Sequence, residues 1–598
     1  MSVGLTKRVL VLGDNDLACL AVVRSLGRAG LDVDLVAWYD TGITRSSRYV
    51  RRVLDCGDPS RETSRFVEGV SAAAAKGGYD LIIPVLEVAI RPLLPVAETL
   101  RAHARLALPE AEAFEATRNK AETIQLAQAC GADVPATRVV SSLAEIGTLC
   151  PPSGFPLVLK PAFGGTVRRV WAPEQLQDWL SSLVPQSPVL VQELCPGQGI
   201  GLEVLARRGE VLAAFQHERV HEPPEGGASS YRRSVPLSQP LLDLARRMCA
   251  RLNWTGPAMI EFKRDSATGR AALMEINGRF WGSLALSIFA GVDFPKLLYD
   301  ALVREAQISV FAYRVHRYAR NTARDVFWYM ANWRAPANRP DLLKVRGPQL
   351  LRECGNLLRG RECFDVETLR DPIPGLLNWQ GILGEVHARM AGKISAWHWR
   401  HRARRLGREV RRRSPRLLRR LRGVRSVLFV CAGNINRSVF AELLTRRRLA
   451  PGAVLAVASA GLMAREGRAC CPTAVECARS FGVDLYPHRS RSVSQAMLAG
   501  ADLVFIMEAA QLGEIHSLDR TCLARTALLG SWDPGVRVDD IPDPHGAERA
   551  VYQKVYARIS RCVDEWLAAQ GLRLPREGGS ASPGPAPGVG RSEAHRPA

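Results

Sequence analysis

The chain has 598 residues, of which 47% are hydrophobic and 23% charged, proportions that exclude global disorder and a collagen-like or coiled-coil chain. At about 100–200 residues per domain, this length calls for several cores rather than one. The net charge of +22 is local: residues 393–425 hold fourteen Lys/Arg against the single acid Glu409, so this segment carries +13 and the rest of the chain only +9.

Residues 7–40 open with VLVLGDND, continue as an amphipathic stretch to Gly30 and resume with LDVDLVAW, which reads as strand, helix, strand. That order predicts an α/β domain with a parallel sheet over residues 1–110. Gly13 closes the first strand, but the GxGxxG of a dinucleotide turn is missing, so a nicotinamide or flavin is not expected. DLIIPVLEVA (80–89) supplies another buried strand, and NKAETIQLAQACGADVPAT (119–137) reads as a helix ending near Gly131.

A second block runs over residues 111–310. In GFPLVLKPAFGGTVRRVW (154–171), Lys160 ends an apolar strand just before Gly164-Gly165, where a lysine can neutralise nucleotide phosphates and the glycines let the backbone approach them. No Lys-Ser/Thr follows the last glycine, so this is not a Walker A loop. VLVQELCPG (189–197) is a strand ending in Glu193 and a turn, where backbone groups can pair with adenine. PAMIEFKRDSATGRAALMEINGRF (257–280) holds two strands joined by a Ser-Ala-Thr-Gly turn. Glu275 and Asn277 share one face of the second strand and Glu261 can lie opposite them, giving hard oxygen ligands for Mg²⁺ bridging ATP phosphates.

These segments together resemble the ATP-grasp superfamily over residues 5–305, particularly its carboxylate-amine ligases and the biotin carboxylase and carbamoyl phosphate synthetase branch. The resemblance implies a pre-ATP-grasp parallel sheet plus two α+β subdomains, with ATP and Mg²⁺ as cofactors. It implies that Lys120 and Lys160 contact ATP phosphates, that Glu193 and Leu194 lie on the adenine hinge, and that Glu203 lies near the ribose or adenine. Glu261, Glu275 and Asn277 would bind Mg²⁺, and Arg279 would stabilise the acyl-phosphate step. The chemistry implied is phosphorylation of a small-molecule carboxylate, then attack of an amine or thiol, releasing ADP and phosphate. PPEGGASSYRRSVP (223–236), with Arg232 and Arg233, reads equally as a substrate lid or as a surface loop.

Residues 311–423 change to helical stretches rich in Arg, Trp and Tyr, interrupted by RAPANRP and DPIPG, with no catalytic pattern. They read as a helical, Arg-rich connector ending in the basic segment. Its charge permits contact with an anionic membrane surface, since Trp397 and Trp399 adjoin it, or with an acidic partner. No reader fold for nucleic acid accompanies it. No run reaches the roughly 18–20 apolar residues that span a bilayer, and Val9 to Leu12 is too short for a signal-peptide core. The fourteen cysteines include no CxxC and no Cys/His pair at zinc spacing, as for a reducing compartment. A cytoplasmic location follows as the expectation, peripheral at the inner face of a membrane if the basic segment touches lipid.

A new α/β pattern starts after Gly423 and runs over residues 424–570. VLFVCAGNINRSVFAELL (427–444) is an apolar strand, a loop from Cys431 to Arg437, and a helix beginning near Ser438. Backbone N–H groups of such a loop, Ala432, Gly433, Asn434, Ile435 and Asn436, converge with the helix N-terminus on one point and bind a phosphate dianion. The same positive end favours a thiolate nucleophile at Cys431. Arg437 can grip two phosphate oxygens with its fork of donors. Asn434 is placed to hold loop carbonyls, and Ser438 to donate to the thiolate or leaving sulfur.

This region resembles the low-molecular-weight protein tyrosine phosphatase family, also through SAGL (459–462), HRSRSVS (488–494), ADLVFIME (501–508) and DDIPDPHG (539–546). The resemblance implies a separate doubly wound α/β domain and makes Asp543 the general acid. Cys431 would form a phosphocysteine on a phosphotyrosine protein or aryl phosphate, with no cofactor. Asn436 stands where the family often has a second loop cysteine, and His545-Gly546 stands where an aromatic pair is common. Arsenate reductases use the same loop with two later cysteines, but ADLVFIME lacks a cysteine and Cys470-Cys471 lie early for a relay. Residues 571–598 form a Gly/Pro/Ser-rich tail without the apolar content for a core. The leading reading is a bifunctional ligase and phosphatase. The alternatives are a phosphatase regulated by a nucleotide-binding sensor and an arsenate reductase-like C-terminal enzyme.

Overall fold

The computed structural model describes residues 6–14, 17–149, 151, 153–223, 227–265, 267–334, 347–411, 423–536 and 538–573. The chain divides into two compact units, Met1–Glu385 and Val386–Ala598.

The first unit opens with five parallel strands, β1 Arg8–Leu12, β2 Asp32–Val36, β3 Val50–Leu54, β4 Leu81–Pro84 and β5 Arg105–Leu106, in the order β3-β2-β1-β4-β5. Central strand β1 reads as a continuous apolar run because both of its faces are covered. Val9 and Val11 pack with Ala18 and Val22 of helix Leu17–Arg28, whereas Leu10 and Leu12 join the cluster of Phe66, Val70 and Ala74 from helix Thr63–Gly77. A four-stranded antiparallel sheet follows, β6 Thr137–Val140, β7 Leu157–Pro161, β8 Arg168–Val170 and β9 Val189–Glu193, in the order β6-β9-β7-β8. Leu176 and Leu180 of helix Pro173–Leu183 cover its apolar face.

The largest sheet comprises β10 Gln198–Arg207, β11 Glu210–His221, β12 Tyr231–Ser234, β13 Gly256–Arg264, β14 Ala271–Asn277, β15 Tyr318–Arg320 and β16 Glu362–Phe364. Its order is β14-β13-β10-β11-β12-β15-β16. β13 and β14 form the hairpin expected at 257–280, with Glu261 opposite Glu275. On one side Ile200, Leu202 and Val204 pack with Leu241, Leu244 and Ala245 of helix Gln239–Arg251. On the other, Leu205, Ala213 and Phe215 pack with Leu284, Leu286 and Leu298.

The helical connector expected from residue 311 is corrected here. β15 and β16 lie inside that span yet extend the seven-stranded sheet, β12 pairing with β15 and β15 with β16. A buried ion pair and a buried hydrogen bond bind them in: Arg232 donates to both oxygens of Asp365 at 2.6 and 2.5 Å, and the Tyr231 hydroxyl donates to Glu362 at 2.8 Å. Helix Pro372–Arg411 follows. The rest of the basic segment at 412–422, most of RAPANRP, and the tail from residue 574 lie outside the described residues.

In the second unit β17 Ser426–Cys431, β18 Ala456–Gly461, β19 Leu503–Ile506 and β20 Thr526–Leu528 form a parallel sheet ordered β18-β17-β19-β20. Helices Arg437–Arg448 and Arg549–Gln570 cover the Val427/Phe429 face, and helix Gln511–Leu518 covers the Leu428/Val430 face. The sheet is doubly wound, and Cys431 sits at the carboxyl end of central strand β17, where such sheets place ligands.

Candidate active sites

In the first unit a cavity of about 330 Å³ opens on the seven-stranded sheet, its wall carrying His217, Arg219, Glu261, Glu275, Asn277 and Arg279. Strand register explains this convergence. His217, Gly201, Glu261 and Glu275 stand side by side across β11, β10, β13 and β14, and directly opposed residues share a face. A Cβ on Gly201 would lie 2.3 Å from His217 Cε1, so glycine makes room for the imidazole.

The Asn277 amide donates to Glu261 Oε1 at 3.1 Å and Glu275 Oε1 at 3.3 Å, while Arg279 donates to Asn277 Oδ1 at 3.2 Å. Arg219 pairs with Glu261. Burial raises the Glu261 carboxyl above its ordinary range more than Arg219 lowers it. Two adjoining carboxylates, one held against its own charge by burial, fit a hard divalent cation.

Lys160 on β7 is pushed down by burial, opposed by the charge of Glu275. The Lys120 ammonium donates to the carbonyl of Gly164 at 3.2 Å. Gly164 and Gly165 have φ of +52° and +77°, the left-handed region that admits glycine without strain. Glu193 ends β9, paired with Arg270 at 3.2 Å, and Leu194 follows it.

Glu203 is a correction. It is fully buried, and Oε1 accepts from the Ser283 hydroxyl at 2.9 Å, leaving no surface for a ribose or adenine. Burial raises its carboxyl well above the usual range. His217 Nδ1 lies 2.9 Å from the same oxygen but without hydrogen-bond alignment, and burial, with Arg219 and Arg232 adding to it, pushes the imidazole down to about 3. His217 and Arg219 were missed from sequence because AAFQHERVH (213–221) carries no motif, and only pairing with β10 brings it to the site; Ser283, just before helix Leu284–Ala290, was missed as well.

In the second unit the Cys431 sulfur lies 3.0 Å from the Ser438 hydroxyl, either of which can donate, and accepts from the Asn434 backbone N–H at 3.3 Å. Asn434 has φ of +51° and is fully buried. Its side chain does not hold loop carbonyls as expected. Nδ2 donates to Ser438 Oγ at 3.0 Å and Ser459 Oγ at 2.8 Å, and Oδ1 accepts from the Arg491 N–H at 3.0 Å. The Asn434 carbonyl is instead held by His488 Nε2 at 2.9 Å. A Cβ on Gly461 would stand 2.7 Å from the Ala432 carbonyl and 2.8 Å from the Asn434 nitrogen, so the SAGL glycine lets loop and strand touch.

Arg437, the first residue of helix Arg437–Arg448, is 1% exposed. It donates to Asp543 Oδ2 at 2.6 Å and to the Ile541 carbonyl at 2.7 Å, and it pairs with Glu508. Nucleophile, anion-gripping guanidinium and the distant carboxyl Asp543 thus meet at one rim.

The family model for low molecular weight phosphotyrosine protein phosphatase matches residues 426–576. A probable low molecular weight protein-tyrosine-phosphatase, EpsP of Ralstonia nicotianae, is 33% identical over 144 residues, which cover 24% of this chain and 94% of that protein. The chain belongs to the low molecular weight protein-tyrosine-phosphatase family. The Etp phosphatase of Escherichia coli is similarly 33% identical over 141 residues, covering 24% of this chain and 91% of its own. Residues 186–322 match the model for ATP-grasp in the biosynthetic pathway with Ter operon, so an ATP-grasp module precedes the phosphatase in the same chain. Among solved structures, an L-amino acid ligase from Bacillus licheniformis has 19% identity and a TM-score of 0.43, over 52% of this chain and 79% of that one.

Within the phosphatase, Cys471 stands nearer the loop than its sequence position suggested. Its thiol donates to Asn436 Oδ1 at 3.5 Å and lies 3.1 Å from the Tyr552 hydroxyl. Burial raises the thiol, but hydrogen bonds from His545 and Tyr552 more than offset this and leave it lowered. Cys471 and Tyr552 therefore adjoin His545, which stands where the family commonly has an aromatic residue.

Proposed function

We propose that the ATP-grasp unit joins a small-molecule carboxylate to an amine or thiol through an acyl phosphate, and that the phosphatase unit hydrolyses phosphotyrosine or a related aryl phosphate. The alignment of Glu261, Glu275, Asn277 and Arg279 along one cavity carries the first part. Lys120 and Lys160 hold nucleotide phosphates beside the Gly164-Gly165 turn, and Glu193 and Leu194 border the adenine. Mg²⁺ held by Glu261, Glu275 and Asn277 would neutralise charge on the ATP phosphates. Arg279, which donates to the Phe280 carbonyl and to Asn277 Oδ1, stabilises charge developing on the transferred phosphoryl group.

In the phosphatase, Cys431 attacks phosphorus in line. Ser438 and the Asn434 N–H stabilise the thiolate, and the loop amides with Arg437 stabilise the equatorial oxygens. Asp543 protonates the leaving oxygen, then takes a proton from the water that hydrolyses the phosphocysteine. The single observation carrying this half is the meeting of Cys431, Arg437 and Asp543, with Asp543 and Arg437 in contact. Purified chain supplied with pooled carboxylates and amines tests the ligase by ADP release. Aryl phosphate hydrolysis that survives Cys431→Ser would remove the phosphatase mechanism.

A further inference from the structure

Helix Pro372–Arg411 carries exposed apolar side chains in register. Met390, Ile394 and Trp397 are 56%, 64% and 67% exposed, and steps of four and three residues place them on one face. Trp399, two residues beyond Trp397 and so on the opposite side, is packed. Its ring centroid is 5.0 Å from that of His516, and it covers Gly513. One tryptophan of the pair seats the helix, and the other faces outward with the stripe.

Charge decides what this stripe fits. Residues 386–411 contain eight Lys/Arg and one acid, Glu409. A second copy packed along the stripe would set two such segments against each other, whereas a layer of anionic headgroups complements them. Among the described residues no helix is long and apolar enough to cross a membrane, so the stripe suits a helix lying in the interface.

We propose that residues 386–411 of this helix lie on an anionic lipid surface, with Met390, Ile394 and Trp397 inserted among the headgroups and the net positive charge of the segment matched to the anionic lipid. The inference is independent of either catalytic assignment. It is tested by co-sedimentation of the full chain with phosphatidylcholine vesicles, with and without phosphatidylserine as one third of the lipid. Partition roughly tenfold or more higher on the anionic vesicles is expected. Met390→Glu/Ile394→Glu/Trp397→Glu should abolish it while aryl phosphate hydrolysis stays normal, and Met390→Leu/Ile394→Leu/Trp397→Phe should retain it. Equal binding to both vesicle types, or to neither, overturns the proposal. So does salt-sensitive binding that the glutamate variant leaves untouched, which would assign the charge to an acidic partner. A stable dimer in solution that the glutamate variant splits would give the stripe to a second copy and likewise overturn it.

Discussion

Arg437 and Asp543 form an ion pair of 2.6 Å across the rim of the phosphatase loop. The group that grips the phosphate and the group that protonates the leaving oxygen are therefore mutual partners, with Glu508 as the second carboxylate on the same guanidinium. An incoming dianion competes with both acids for Arg437. Glu508→Gln removes one competitor and one repelling charge, while the bond from Arg437 to the Ile541 carbonyl keeps the side chain oriented. Inhibition by inorganic phosphate should become roughly three- to tenfold tighter, the effect of a nearby charge at high effective dielectric. Competition assays give this directly, and weaker inhibition would show that Glu508 orients Arg437 rather than competing for it.

A general acid matters in proportion to the basicity of the leaving oxygen. Asp543→Asn should slow hydrolysis of phosphotyrosine by about 10²–10⁴-fold and hydrolysis of a nitrophenyl phosphate much less. A leaving-group series measures the difference. An equal loss across the series would reassign Asp543 to holding Arg437.

His221 is a second titratable feature of the first unit. It is fully buried, with Nδ1 2.7 Å from Asp325 and Nε2 3.1 Å from Glu353, stacked on Trp328 at 3.8 Å. Tyr231 and Tyr329 pack on it, and Arg320 pairs with Asp325. Burial lowers the imidazolium, but the two carboxylates more than offset this and raise it above its ordinary value. A folded-state value above the unfolded one stabilises fully below about pH 6.5, and this contribution is lost as pH rises through the folded value. Thermal unfolding should therefore show a loss of stability on the alkaline side that His221→Gln lacks. Parallel pH curves for the two proteins would refute the assignment.

Asp371 locks the N-terminal sheet to the start of helix Pro372–Arg411. It accepts from Arg24 Nε at 2.8 Å, Ser47 Oγ at 2.7 Å and the Arg48 N–H at 2.9 Å. Its side chain is 1% exposed and the Arg24 side chain 6%. Removing one partner strands a buried charge, so Asp371→Ala should destabilise the first unit by about 3–5 kcal/mol. Although burial opposes it, these bonds lower the Asp371 carboxyl. The stabilisation is therefore present above an unfolded value of about 3.9 and lost as pH falls through the lower folded one. Denaturant melts at neutral and acid pH measure both effects.

Contiguity explains what could be read from the chain. Cys431 to Ser438 is one strand-loop-helix segment, so local chemistry announced it, and the hairpin carrying Glu261 and Glu275 declared itself by its turn. Glu508, His488 and Arg491 lie far along the chain and acquire roles only when parallel strands β17 to β19 bring their loops together. His217 was invisible for a similar reason, since its place beside Glu261 depends on the register of β11 against β10. Glu203 misled because burial, not motif, decides whether a carboxylate on a strand meets solvent. β15 and β16 are three residues each, too short to show a period of two, so a stretch rich in Arg and Trp read as helix throughout.

The two catalytic units of this chain are expected to fail separately. The direct measurement is ADP release by wild type, Cys431→Ser and Glu261→Gln/Glu275→Gln, each supplied with ATP, Mg²⁺ and pooled carboxylates and amines. The account predicts carboxylate- and amine-dependent ADP release by wild type and Cys431→Ser alike, and none above background in the acidic-pair variant. ADP release that never exceeds the blank without carboxylate, or that persists unchanged in Glu261→Gln/Glu275→Gln, would contradict it.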